Sequence, residues 1–288
     1  MKVLLDTDIG SDIDDAVCLA YLLAQPTCEL LGITTVSGNT IERAKLASVL
    51  CKVAGKDVPI YPGTRFPLLV EERQKHVPQA KALPRWDRAE TYVENGAIEF
   101  LQRTIRENPG EVTLLAIGPL TNVALLFAVD PEIPSLLGGL VMMAGQFFAP
   151  DARGEWNIWC DPHAASIVYR TPVKIHKSIG LDVTLKCKMG DAEVKRRFVH
   201  PLLLPVVDFA GAWFEHSSDI TFHDPLAAVT LFDENVCTFS RGTITVDAVS
   251  TDPAETRFVE QADGPNEAAS EVDVPWFFER YFTVFPVI

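Results

Sequence analysis

The stretch that most constrains this chain is Lys2–Ala16, KVLLDTDIGSDIDDA. Val3, Leu4 and Leu5 form an apolar run too short for a helix and right for a buried strand. Five aspartates follow within ten residues: Asp6, Asp8, Asp12, Asp14 and Asp15. Gly10 lets the backbone turn sharply between them. From Ala16 to Leu23 the pattern becomes helical and mostly apolar. The acids therefore sit where a buried strand ends and a helix begins, the edge at which open α/β sheets bind ligands.

Carboxylates this dense repel one another unless positive charge sits among them. A helix N-terminus offsets part of one charge, and capping by Asp12 or Asp14 accounts for one or two of the acids. The remainder calls for a hard divalent cation held by carboxylate oxygens. The spacing is not that of an EF-hand, because Gly10 and Ser11 fall where its third acid and its glycine belong.

Composition narrows the class. The 288 residues are 48% hydrophobic, enough for one large α/β domain over 1–288. A net charge of -14 disfavours nucleic acid and anionic membranes as partners, but not a cation or a neutral small molecule. Cys18, Cys28, Cys51, Cys160, Cys187 and Cys237 contain no C-x-x-C pair and read as buried free thiols. Met1-Lys2 leads straight into a strand, with no signal peptide, and no apolar run reaches membrane-span length; a cytoplasmic protein is expected.

Along the chain, strands are expected at Cys28–Val36, Val58–Tyr61, Glu111–Ile117, Gly139–Ala144 and Val173–Ile179. Helices are expected at Thr40–Ala54, Ala89–Asn108, after Gly118-Pro119, from Asp161 to about Arg170, and over much of Asp191–Phe214. A hairpin over Gly242–Glu260 and an aromatic helix over Pro275–Val284 close the chain. Pro62–Arg88 is long and irregular, the mark of a binding loop, a lid or a poorly ordered segment. Alternating strands and helices predict a mainly parallel, Rossmann-like open sheet with helices on both faces.

In such a sheet the strand ends share one edge. The aspartate cluster, Val36-Ser37-Gly38-Asn39, Ile117-Gly118-Pro119-Leu120-Thr121-Asn122, the loop ending Gly154-Glu155-Trp156-Asn157, and His223-Asp224-Pro225 all bring polar groups there. Each has a simpler reading. Asn39 serves as a turn residue, Thr121 as a cap, Asp224-Pro225 and Asp161-Pro162 as helix starts, and Trp86 and Trp156 as core aromatics.

Taken together, Asp6-Thr7-Asp8-Ile9-Gly10 with Asp14-Asp15-Ala16 and the four later motifs, in the same order, resemble the inosine-uridine-preferring nucleoside hydrolases. The resemblance runs from residue 2 to at least 230 and implies a nucleoside hydrolase fold over the whole chain. It implies hydrolysis of the N-glycosidic bond of ribonucleosides to free base and ribose, with a calcium-bound water as nucleophile. By this resemblance Asp8 is calcium ligand and general base, Asp15 and Asp224 are further calcium ligands, and Ile117 ligates through its backbone carbonyl. Asp14, Asn39, Glu155 and Asn157 match groups that grip the ribose, and His223 matches a histidine near the leaving base, a candidate catalytic acid. A homodimer or homotetramer is implied as well.

The chain departs from the pattern in several places, among them a His-rich loop of some members that here keeps only His76. Ile9 replaces the usual proline, and Ser11-Asp12 add two residues before the paired aspartates. Asp14 is preferred for the ribose because the helix fixes the phase of Asp14 and Asp15; Asp12 is the substitute. Phe147–Asp151 lacks the family's upstream asparagine, so Asp151 is the candidate replacement. Two other classes compete. One is a calcium-dependent sugar- or nucleoside-binding protein without turnover. The other is a haloacid-dehalogenase-like phosphatase with Asp6 as nucleophile.

Overall fold

The computed structural model describes residues 1–149, 154–250 and 254–286. Val3, Leu4 and Leu5 lie in β1 (Lys2–Thr7), fully buried as their run of apolar side chains requires. Then come α1 (Asp14–Ala24), β2 (Glu29–Thr35), α2 (Thr40–Val53) and β3 (Ile60–Pro62). A long segment, with one 3-10 helix at Pro78–Arg85, leads to α3 (Ala97–Glu107). β4 (Val112–Ala116), α4 (Thr121–Val129), α5 (Ile133–Leu136) and β5 (Gly139–Met143) follow. α6 (Trp156–Cys160) and α7 (Pro162–Arg170) precede β6 (His176–Ile179). Next are α8 (Leu181–Thr184), β7 (Lys188–Gly190), α9 (Asp191–Arg197), α10 (Leu204–Trp213), β8 (Asp219–Thr221) and α11 (His223–Thr230). The chain closes with β9 (Cys237–Val246), β10 (Thr256–Glu260), β11 (Asn266–Val272) and α12 (Val274–Thr283).

Nine strands form one sheet in the order β10-β9-β11-β6-β5-β4-β1-β2-β3. From β11 to β3 every neighbouring pair is parallel, as the alternation of elements predicts. β9 runs antiparallel to both its neighbours, and with β10 it makes the expected hairpin. β1 is buried on both faces: Val3 and Leu5 join the core under α1, while Leu4 joins the opposite core with Phe100. β1 also sits between β2, the next strand in sequence, and β4. Chain order therefore reverses beside β1, and such a switch point opens a crevice at the C-terminal strand ends.

Several elements differ from those expected, two of them for clear physical reasons. The helix expected from Ala89 begins only at Ala97, because Asn95 adopts a positive φ of 55° and Gly96 packs where a Cβ would meet the Tyr61 ring at 2.8 Å. β11 was not expected at all. Its sequence NEAASEV has poor strand propensity, and tertiary context overrides it: Ala268 and Ala269 are fully buried, and Asn266 bonds His176 and the Ile244 amide. All six cysteines are free and buried, as their scatter suggests. Among the described residues no helix is long and apolar enough to cross a membrane.

The aromatic C-terminal helix fixes the far end of the site. Phe222, fully buried, meets Phe277, Phe278 and Tyr281 edge-on, with ring centroids 5.1–6.0 Å apart. Phe222→Ala is expected to cost ~3–5 kcal/mol in chemical denaturation, since it empties a packed core position. A loss below ~1 kcal/mol would show that this aromatic cluster does not anchor the segment.

Candidate active site

The crevice beside β1 holds a cavity of about 170 Å³. Its walls come from the ends of β1, β4 and β5 and the starts of α1, α6, α8 and α11, with Asp8, Asp14, Asp15, Glu155, His223 and Asp224 among the lining residues. Asp14 and Asp15 open the first turn of α1, where free backbone N–H groups favour negative charge. Asp224 arrives from the start of α11. Carboxylate oxygens of Asp14, Asp15 and Asp224 all lie within 4.8 Å of one another, and all three residues are buried. The Asp224 backbone N–H donates to Asp14 Oδ2 at 3.2 Å, and Thr7 Oγ1 donates to Asp15 Oδ1 at 2.5 Å. Among the described residues no ammonium or guanidinium pairs directly with these three carboxylates, which form an all-oxygen donor set, the kind a hard dication takes.

Asp8 stands at the end of β1 with its carboxylate held between two loops. Gln74 Nε2 donates to Asp8 Oδ2 at 2.5 Å. The other oxygen lies against Gly118, where a Cβ would come within 2.8 Å of Asp8 Oδ1. Behind the acids lies Arg43, fully buried, which donates to the backbone oxygens of Asp8, Ile9 and Ser37 and to Ser11 Oγ. On the opposite wall Glu155 caps α6: Oε1 accepts from Asn157 N at 2.7 Å, and Oε2 accepts from Ile158 N at 3.0 Å and Gly145 N at 3.2 Å. Asn157 Nδ2 donates to the carbonyls of Ile117 at 2.9 Å and Met143 at 3.1 Å. His223 Nδ1 meets Thr184 Oγ1 at 2.7 Å. Trp156, half exposed, stands at the mouth and donates its indole N–H to Gln74 Oε1 at 2.9 Å.

A family profile described as inosine-uridine preferring nucleoside hydrolase matches residues 3–279. The chain belongs to that family. Uridine nucleosidase 1 of Arabidopsis thaliana is 31% identical over 272 residues, 85% of this chain and 78% of that protein. The pyrimidine-specific ribonucleoside hydrolase RihA of Salmonella arizonae is 30% identical over 258 residues, 83% of this chain and 81% of that protein. A purine-preferring ribonucleoside hydrolase from Gardnerella vaginalis shares the fold, with a TM-score of 0.84 at 24% identity over 99% of this chain and 98% of that one. The protein is thus an enzyme, a hydrolase of the nucleoside hydrolase family.

Most of the residues singled out in the sequence of this nucleoside hydrolase meet around one cavity, but several do not fall as expected. Asn39 stays outside: it is exposed, and its Oδ1 accepts from Glu42 N at 3.2 Å to cap α2. The turn reading of that residue is the one its geometry supports. The carboxylate trio contains Asp14 where Asp8 was expected, because adjacent Asp14 and Asp15 both turn into the buried start of α1. Asp12 lines the cavity, with Oδ1 accepting from Ile13 N at 2.6 Å. Asp151 lies outside the described residues. Asp224 does not cap α11, which starts at His223, and Trp156 is a mouth residue and no core aromatic. Arg43 and Gln74 escaped the sequence reading entirely. Neither sits in a motif, and a basic residue inside a helix reads as surface.

Burial sets the electrostatics. It raises Asp6, Asp12 and Glu155 to about 7, and pushes Asp14, Asp15 and Asp224 well above the ordinary aspartate value, each reinforced by its acidic neighbours. Asp6, bonded by Thr34 and Asn122 through Oδ1, leaves a buried Oδ2 without a partner among the described residues, which suits a protonated acid. Burial lowers His223 to about 4, so its ring is a neutral imidazole near neutrality.

These carboxyls hold protons in the folded state that the unfolded chain releases above the ordinary value of 3.8. Their contribution to stability therefore falls as pH rises from about 4 toward about 7. In chelator, the melting temperature is expected to drop by at least ~4 °C between ~pH 5 and ~pH 8. Calcium at the higher pH is expected to restore it, by binding only the native cluster. A melting temperature indifferent to both pH and calcium would refute this electrostatic account.

Proposed function

We propose that this nucleoside hydrolase cleaves the N-glycosidic bond of ribonucleosides to free base and ribose, with Asp8 as general base. The observation that carries the reading is the meeting of Asp8, Asp14, Asp15, Glu155, Asn157 and Asp224 around one cavity at the switch point beside β1. As the base departs, positive charge develops on the sugar ring, as in glycosidases generally. Fixed carboxylates on several sides of that ring stabilise the charge. Asp8 lies within the same cavity, so it can take a proton from a water attacking the anomeric carbon. Glu155 and Asn157 face the sugar hydroxyls from the other wall.

Asp14, Asp15 and Asp224 would hold calcium, with the Ile117 carbonyl nearby; Asp8 stands beside them. The Ile117 oxygen already accepts from Asn157 and keeps a second lone pair free. Calcium supplies charge neutralisation and oxygen coordination broad enough to take a vicinal diol. His223 would serve the leaving base as a hydrogen-bond donor through Nε2 in the tautomer whose Nδ1 accepts from Thr184 Oγ1. The names of the relatives, a uridine nucleosidase and a pyrimidine-specific ribonucleoside hydrolase, favour uridine as the first substrate to assay. We further read the chain as one domain, since its single large sheet takes strands from Lys2 to Val272, and as a cytoplasmic homo-oligomer.

Assay of uridine, cytidine, inosine and adenosine for free ribose, with and without calcium, tests the reading. Asp8→Asn is expected to lower kcat by about 10²–10⁴-fold with the fold intact. Release of ribose at the wild-type rate by that variant would remove Asp8 from the reaction. Tight nucleoside binding without any release of base would favour a binding protein instead.

A further inference from the structure

We infer that Gln74 is a positioning residue for this reaction: it fixes the Asp8 carboxylate and ties it to the Trp156 wall across the cavity. The inference rests on the reading of Asp8 as base. Gln74 comes from the irregular segment after β3, yet only 6% of it is exposed. Its Nε2 donates to Asp8 Oδ2 at 2.5 Å and to Ser11 Oγ at 2.7 Å. Its Oε1 accepts from Trp156 Nε1 at 2.9 Å and from Cys160 Sγ at 3.6 Å. Both amide protons and both oxygen lone pairs are thus used, and a fully satisfied buried amide holds one geometry.

The backbone around Gln74 is shaped to receive it. Gly38 has φ +64°, and a Cβ there would lie 2.3 Å from the Gln74 carbonyl oxygen. Gly10 has φ +119°, and a Cβ there would lie 2.4 Å from Val77 Cγ1. Gln79 Nε2 donates to the Asp12 carbonyl at 2.7 Å, and the Arg73 guanidinium lies 4.0 Å over the Trp159 ring. The segment is therefore seated on both flanking loops, with Gln74 at the seam. One Asp8 oxygen is committed to this amide and the other is packed against Gly118, so the rotamer of the base is set before substrate enters. An inert filler would require only the volume of Gln74; Asp8 and Trp156 both bond its amide.

Gln74→Met keeps the length and removes the amide. It is expected to lower kcat for uridine by about 10–100-fold, the range that misplacing a catalytic group produces. KM and the melting temperature should stay near wild type. Gln74→Asn, which keeps an amide one methylene short, should recover part of the rate. In an Asp8→Asn background Gln74→Met should cause no further loss, because its effect passes through Asp8. Full kcat in Gln74→Met, or an equal loss in both backgrounds, overturns the proposal and leaves Asp8 as base. If Gln74→Met does not fold, Gln74→Asn is read by the same two criteria. Wild-type enzyme that frees no ribose from any nucleoside, or Asp8→Asn at full rate, would bring down the reading of Asp8 itself.

Discussion

The structure turns on keeping negative charge buried at the end of one strand. Asp6, Asp8, Asp14, Asp15 and Asp224 are each at most 5% exposed. In so dry a place every unpaired carboxylate carries a desolvation cost of several kcal/mol. Several devices relieve it. Arg43 places a full positive charge behind Asp8 and Asp15 while bonding the loop's own carbonyls. The first turn of α1 lends partial charge to Asp14 and Asp15. Asp6, pushed up to about 7 by burial, takes a proton more readily and joins Thr34 to Asn122 through Oδ1. What is left over falls on Asp14, Asp15 and Asp224, whose carboxylate oxygens lie within 4.8 Å of one another.

Sheet order explains why these groups can be near one another and remain accessible. Loops after adjacent parallel strands normally crowd together, but beside β1 the chain departs in opposite directions on its two sides. The gap is narrow enough that close backbone approach matters. Gly118 lets the Asp8 carboxylate stand against the β4 loop, and Gly63 leaves room for the Asn122 amide, where a Cβ would lie 2.6 Å from its nitrogen. These are steric demands on particular glycines, and they tie three loops to one carboxylate and one amide.

The fold was legible wherever a local rule and the tertiary context agree. Strands β1, β2, β4 and β5 are apolar runs between turn signals, and α12 shows its aromatic stripe in the sequence. β11 was hidden because its small and polar residues make sense only beside His176 and Ile244. The acids of the site were legible because clustered carboxylates at a strand end have few explanations. Side-chain direction was not. Asn39 occurs in a motif at the right edge, yet its amide oxygen caps its own helix. Gln74 sits in a stretch with no periodicity, and only the folded chain brings it within 2.5 Å of Asp8. A motif fixes where a residue falls in the sequence; competition among nearby backbone donors decides where its side chain points.

The same logic gives the C-terminal helix a part in the site it does not line. Asp14 and Asp224 are 210 residues apart in sequence, and their charges oppose the closure that brings α1 and α11 together. The opposing attraction is aromatic. Tyr281 of α12 stacks on Tyr21 of α1 at 5.6 Å and meets Phe222, the residue before α11, edge-on at 5.4 Å. Its hydroxyl also donates to the Val17 carbonyl of α1 at 3.1 Å. Each ring pair adds about 0.5–1.5 kcal/mol beyond the area it buries. Contacts of this kind do not weaken as the carboxyls ionise. α12 therefore clamps the two acid-bearing helices from outside, at the pH where their mutual repulsion is greatest.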